Sequence, residues 1–165
     1  MMDTAPLAET DFEPTSPYAR GAQTFPRLTP EMAARIAGYG TQEDLPAGTF
    51  VFQRGQRDAD FFLVLSGSIE ILDTDAHGQP QVITTHGERQ FTGEMDLFND
   101  RHILVSGRAG VDSRVVRVRH ADFRRMIATE AEIGEVMMRA FILRRVGFIR
   151  EGQGAVVLIG PGHSR

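Results

Sequence analysis

A glycine followed directly by a glutamate, Gly93 and Glu94, is the residue pair in this sequence with the clearest chemical use. Glycine has no Cβ, so the backbone at Gly93 can come close to a ligand. The next residues predict a short amphipathic helix over 94–99, and free N–H groups at a helix start suit a phosphate. The Glu94 carboxylate beside them suits a sugar hydroxyl. Taken alone, such a pair is more often a turn with a surface glutamate.

Three stretches of sequence surround the pair and narrow its meaning. They are residues 45–55 (LPAGTFVFQRG), 60–71 (DFFLVLSGSIEI) and 91–98 (FTGEMDLF), and the last is called the Gly-Glu segment below. Together they resemble the cyclic nucleotide-binding domain in its catabolite-activator and Fnr-like branch. Gly48, Gly55, Gly67 and Gly93 fall at the turn glycines of that family, and the resemblance covers roughly residues 28–147. It implies a mainly β fold, a double-stranded β-helix (jelly roll) of eight strands with flanking α-helices.

The resemblance also implies roles for single residues. In that family, backbone N–H groups after the glycine hold the cyclic phosphate, and the glutamate holds the ribose 2′-hydroxyl. An arginine at the start of the next strand pairs with the phosphate, and a serine or threonine follows it. Here Gly93 and Glu94 match, but Ile103 or Leu104 stands at the arginine position and Leu104 or Val105 at the serine position.

The missing arginine has a calculable effect. A charge-assisted bond from arginine to phosphate contributes roughly 1.5–3 kcal/mol, so its loss weakens cyclic AMP or cyclic GMP binding by about two orders of magnitude. Arg101 or Arg108 is the alternative source of the charge. The ligand site implied by the resemblance consists of Gly93, Glu94, Met95, Arg101, Leu104 and Val105.

The elements that must position this site follow from caps, turns and periodicity. Thr29, Pro30 and Glu31 are typical of a helix start. Short apolar runs separated by glycine turns predict strands over residues 49–53, 61–65, 68–73, 81–85, 104–111 and 115–119. Helical periodicity then predicts helices over residues 120–127 and 129–149.

The last predicted helix carries an apolar stripe wider than one core contact requires. The resemblance implies that this helix forms a homodimer, through Ile133, Met137, Ala140 and Phe141. The alternative is that the helix packs on its own β-roll. Its arginines are interpreted as a solvated face; they are Arg139, Arg144, Arg145 and Arg150.

Both ends of the chain fall outside the domain that the pattern predicts. Residues 1–27 are proline-rich, which predicts a flexible arm. Residues 28–150 are predicted to form the domain, and residues 151–165 a linker and one apolar strand. This tail resembles the junction in bacterial flavoproteins of the thioredoxin-reductase type, where a similar module precedes the reductase. The resemblance implies a regulatory module with an altered phosphate site that controls or docks such an FAD- and NADPH-dependent enzyme. The alternatives are a ligand-free interaction module, or a transcription-regulator-like sensor lacking its DNA-binding domain.

Composition argues against several other functions. The net charge of −4 gives no general attraction to nucleic acid or anionic membranes, and about 15 residues after the last helix leave no room for a recognition helix. The chain has no cysteine, and its five histidines are scattered without metal-binding spacing. We expect no membrane span, no secretory signal, no metal, no cofactor in this chain and no catalytic residues, and a cytoplasmic location. The expected partners are a cyclic nucleotide or other small anion, and a second copy.

Overall fold

A computed structural model describes residues 24–93 and 102–151, with side chains described up to residue 144. Three helices and eight strands lie in these ranges. In chain order they are α1 (Pro30–Ala37), β1 (Thr41–Leu45), β2 (Phe50–Phe52), β3 (Phe61–Ser66), β4 (Ile69–Thr74), β5 (Pro80–His86), β6 (Phe91–Thr92), β7 (Ser106–Ala109), β8 (Ser113–Val118), α2 (His120–Thr129) and α3 (Ala131–Glu151).

The strands form two antiparallel four-stranded sheets, called the β-roll below. The first sheet has the order β1-β8-β3-β6 and the second the order β2-β7-β4-β5. Neighbours in space are mostly distant in sequence, as in the pairing of Phe62 with both Arg117 of β8 and Thr92 of β6. The predicted fold class, mainly β with two antiparallel sheets and flanking helices, is confirmed.

Two cores share the central strand β3. Phe61 and Leu63 belong to a core between the first sheet and the helices, whereas Phe62 and Val64 belong to a core between the two sheets. Successive side chains of a strand point to opposite faces, so a strand covered on both faces must be apolar throughout. This explains the uninterrupted apolar run from Phe61 to Leu65.

Helix α1 begins as its sequence predicts. The Thr29 hydroxyl oxygen accepts a hydrogen bond from the Met32 N–H at 3.1 Å, and Pro30 opens the first turn. The other end of α1 is tied to the break between α2 and α3, because the Glu130 carboxylate accepts hydrogen bonds from Arg35 Nε at 3.2 Å and Tyr39 Oη at 3.0 Å. The helices therefore form one layer against the first sheet.

Several predicted boundaries differ from the structure. The clearest strands in the sequence do not include β1, which is polar (TQEDL), or β6, which has two residues. The strand expected over 104–111 begins at Ser106, so Leu104 and Val105 precede it. Thr24 is 9% exposed, and the Phe25 carbonyl accepts a hydrogen bond from the Gln90 side chain, so the end of the expected arm is packed on the β-roll. The helix expected over 94–99 and the strand expected over 155–160 lie outside the described residues.

Candidate functional site

Gly93 follows strand β6 at a place where only glycine fits. Its φ is +100°, in the left-handed region that side chains disfavour. A Cβ there would also clash with the Asp60 carbonyl oxygen and lie 2.9 Å from Phe61 Cα. The start of the Gly-Glu segment is therefore pressed backbone to backbone against the entry to β3. Glu94, Met95 and Arg101 of the expected site lie outside the described residues.

Ile103 is one of the two residues that could stand at the position of the family's arginine, and its side chain is part of the core. Ile103 is 3% exposed and packs in the cluster between the two sheets. Its backbone is also fixed, because its N–H donates to the Gln56 carbonyl at 2.9 Å and its carbonyl accepts from the Gly55 N–H at 2.8 Å. An anion at this side chain would meet apolar surface.

Leu104 and Val105 are the other two residues of this stretch that the expected site includes. Both are half-buried, and Val105 packs against the same inter-sheet core. Neither can donate a hydrogen bond from its side chain. Leu104 is less enclosed than Ile103, so it is the position where a charged side chain is most easily accommodated.

Arg108, one of the two alternative arginines, is engaged elsewhere. Its Nε donates to Glu70 Oε1 at 3.0 Å across the β4–β7 pair. Its neighbours Gly107 and Ala109 are buried, and a Cβ on Gly107 would lie 2.8 Å from the Phe52 ring. Strand alternation then puts Arg108 on the outer face of the second sheet. In this arrangement it does not face the inter-sheet core.

The four residues expected at a dimer interface divide into two groups. Ile133, Met137 and Ala140 are fully buried in the chain's own core, against residues of the first sheet and α2. Their burial agrees with the alternative that the helix packs on the chain's own β-roll. Phe141 is half-buried. The homodimer itself stays a prediction.

Two other apolar residues of α3 are open to solvent. Met138 is 40% exposed and Ile142 is 49% exposed. They are four residues apart on the helix, so they lie on one face, next to Phe141. These are the described side chains of α3 that a second copy could cover.

Arg144 was wrongly assigned to a solvated face. It is 5% exposed, and its guanidinium carbon lies over two aromatic rings, 5.2 Å from the centre of Phe25 and 4.8 Å from that of Phe91. The signal was in the spacing, because residue 144 continues the buried series 133, 137 and 140 at helical intervals. The positive charge of the side chain obscured that periodicity.

A buried histidine lies beside this arginine. His86 is 2% exposed, its ring centre is 5.9 Å from that of Phe25, and its Nδ1 has no hydrogen-bond partner among the described residues. Burial, and then the positive charge of Arg144, hold the pKa of His86 well below its ordinary value. His86 is therefore a neutral side chain in the folded protein at neutral pH.

Other kinds of site find little support in the described part of the chain. Among residues 24–93 and 102–151, no three acidic or histidine side chains are grouped so that they could hold a metal ion. No helix in those ranges combines the length and the apolar character that crossing a membrane requires.

Comparison with known proteins assigns the family. The family model of the cyclic nucleotide-binding domain, which describes the sequences of that family, matches residues 42–130. A CRP-like cAMP-activated global transcriptional regulator from Mycobacterium tuberculosis is 24% identical over 74% of this chain and 55% of its own. The chain spans about half or less of the length of the curated relatives that it matches.

Solved structures agree on the fold. A protein described with a cyclic-GMP-dependent signalling pathway that regulates bacterial phytopathogenesis has a TM-score of 0.61 and 29% identity, over 73% of this chain and 95% of the other. The catabolite activator protein of Thermus thermophilus has a TM-score of 0.59 and 22% identity, over 78% of this chain and 59% of the other. With the family model matching more than half of its residues, the chain belongs to the cyclic nucleotide-binding domain family.

Proposed function

We propose that the chain is a regulatory sensor module whose phosphate site is altered, so that it binds cyclic AMP and cyclic GMP weakly or takes a different small anion. The family supports a regulatory role. The observation that carries the altered site is the burial of Ile103 at 3% exposure, next to half-buried Leu104 and Val105, where the family has an arginine and a serine. An unpaired anion against such a surface is costly.

Calorimetric titration of cyclic AMP and cyclic GMP into the unaltered chain and two variants tests this proposal. Leu104→Arg supplies the missing charge, and one arginine–phosphate bond corresponds to about tenfold to hundredfold tighter binding. Val111→Arg is the matched control. Val111 is 51% exposed in the turn before β8, so this substitution adds the same charge away from the Gly-Glu segment. We expect tighter binding only for Leu104→Arg.

Two outcomes would contradict the proposal in different ways. Micromolar binding by the unaltered chain would mean that the site is complete, with Arg101 supplying the charge. No binding by any of the three proteins at millimolar nucleotide would favour the ligand-free interaction module.

The partner of this module is proposed from the tail of the sequence. Residues 151–165 resemble the junction that precedes a reductase of the thioredoxin-reductase type. The full gene product should then carry flavin and reduce a disulfide with NADPH. A full gene product that lacks both properties would contradict this part of the proposal and leave the ligand site unaffected.

A further inference from the structure

We infer that Arg144 and residues 24–28 form a clasp that fixes helix α3 on the β-roll, so that α3 is released when residues 24–28 leave their place. The clasp joins three parts of the chain that are distant in sequence. They are the segment before α1, the strand β6 that leads into Gly93, and the later part of α3. The inference holds for the chain without ligand and does not depend on the proposed function.

The helix side of the clasp is the Arg144 guanidinium. Its Nε donates to the Thr24 carbonyl oxygen at 2.8 Å, and Nη2 donates to the Phe91 carbonyl oxygen at 3.4 Å. The guanidinium carbon lies over the Phe25 ring and the Phe91 ring. Residues 24 and 25 thus supply one backbone acceptor and one aromatic face to the same buried cation.

The segment side is held by the turn between β5 and β6. The Leu28 N–H donates to the Arg89 carbonyl at 2.9 Å, and Arg89 Nε donates back to the Leu28 carbonyl at 2.8 Å. The Gln90 side-chain amide donates to the Phe25 carbonyl at 2.9 Å. These three bonds keep residues 24–28 in place beneath Arg144.

A buried cation makes this contact sensitive to the loss of either partner. An arginine that is 5% exposed has given up most of its water, and the Thr24 carbonyl and the Phe25 ring compensate part of that cost. Withdrawal of residues 24–28 removes both at once. The guanidinium then regains water most readily if the later part of α3 moves away from β6.

The clasp also contacts the candidate ligand site. Phe91, whose carbonyl accepts from Arg144, lies two residues before Gly93, and its ring stacks on Phe61 at a centroid distance of 5.7 Å. Phe61 in turn contacts Phe123 of α2 at 4.8 Å. Movement of Arg144 therefore acts on strand β6, which leads into Gly93, and on both C-terminal helices.

Hydrogen exchange measured by mass spectrometry tests the clasp from both sides. Arg144→Met removes its hydrogen bonds, and Arg139→Met is the control, because Arg139 is an exposed arginine of the same helix that pairs with Glu135. We expect Arg144→Met to raise exchange in α3 and in residues 24–28 by about tenfold or more. Arg139→Met should leave residues 24–28 unchanged.

The second pair of variants changes residues 24–28 and leaves the sequence of α3 unaltered. Phe25→Ala removes the aromatic face, and Arg27→Ala changes an exposed side chain in the same segment. Because coupling between two partners is reciprocal, Phe25→Ala should raise exchange in α3, whereas Arg27→Ala should not. Unchanged α3 exchange in a folded Phe25→Ala protein, shown by circular dichroism, would overturn the inference. So would a change in Arg144→Met that leaves residues 24–28 fully protected.

Discussion

At the scale of single residues, Gly93 is the position where the sequence and the backbone agree most directly. The sequence predicted that the missing Cβ of Gly93 lets the backbone come close to a ligand. In the structure, at a φ of +100°, the Gly93 backbone comes close to the backbone of residues 60 and 61, and the approach to a ligand stays a prediction. What the sequence could not provide is the partner. The backbone that approaches Gly93 is that of Asp60 and Phe61, more than 30 residues earlier.

Gly93→Ala should destabilise the domain strongly. An alanine in a left-handed conformation costs about 1–2 kcal/mol, and the clash with the Asp60 carbonyl adds to it, so the loss should exceed about 2 kcal/mol. Gly78→Ala is the control, because Gly78 has a φ of +83° and no atom lies within 4 Å of the place that an alanine methyl group would take. Urea denaturation should show that Gly78→Ala lowers the free energy of unfolding by about 1 kcal/mol. Equal decreases for Gly93→Ala and Gly78→Ala would contradict the close backbone approach at Gly93.

At the scale of elements, the sequence predicted best where the signal is local. Thr29 and Pro30 predicted the start of α1 because a cap depends on neighbouring residues. Strand β1 is not among the clearest strands of the sequence because an edge strand with four polar residues has no apolar alternation. The stripe of Ile133, Met137 and Ala140 correctly indicated burial, but periodicity does not say which surface covers it.

His86, the last residue of β5, should make the stability of the domain depend on pH. The unfolded chain binds a proton at His86 below about pH 6.5, whereas in the folded chain burial and Arg144 lower the pKa and keep the ring neutral. The free energy of unfolding should therefore decrease as pH falls below about 6.5, by at most about 1.4 kcal/mol per pH unit, until the lowered pKa is reached. Of the nearby turn charges, Glu88 and Arg89 pair with each other at 3.4 Å.

Urea denaturation between about pH 7.5 and 5 measures this dependence. His86→Gln removes the proton-binding group and should flatten the decrease, whereas His77→Gln, at an exposed turn position, should keep it. The unaltered chain and both variants have the same charged groups on the elements around His86, so these groups do not distinguish the three proteins. They are Arg144 on α3, Glu70 on β4, Arg27 in the segment before α1, and Glu88 and Arg89. An unchanged pH slope in His86→Gln would show that another group dominates.

At the scale of the whole molecule, the exposed face of α3 is where we expect a second copy. Ile142→Asp places a charge on the 49% exposed side chain and should convert a dimer to a monomer, because apolar burial contributes about 25 cal/mol per Å². Val111→Asp is the control at a comparably exposed apolar residue in a turn. Light scattering that finds the unaltered chain monomeric at about 100 μM would contradict the dimer.

The contact between Arg144 and Thr24 also bears on the order of folding. The two residues are 120 positions apart, and Arg144 and Phe91 are 53 apart. Contacts between such distant residues close large loops, so we expect them to form late, after the β-roll that holds residues 24–28. Interactions that are absent from the transition state affect the unfolding rate and hardly change the folding rate. We therefore expect Arg144 to act chiefly on how long each folded molecule persists, and a chain made from its N-terminus leaves residues 24–28 uncovered until α3 has been synthesised.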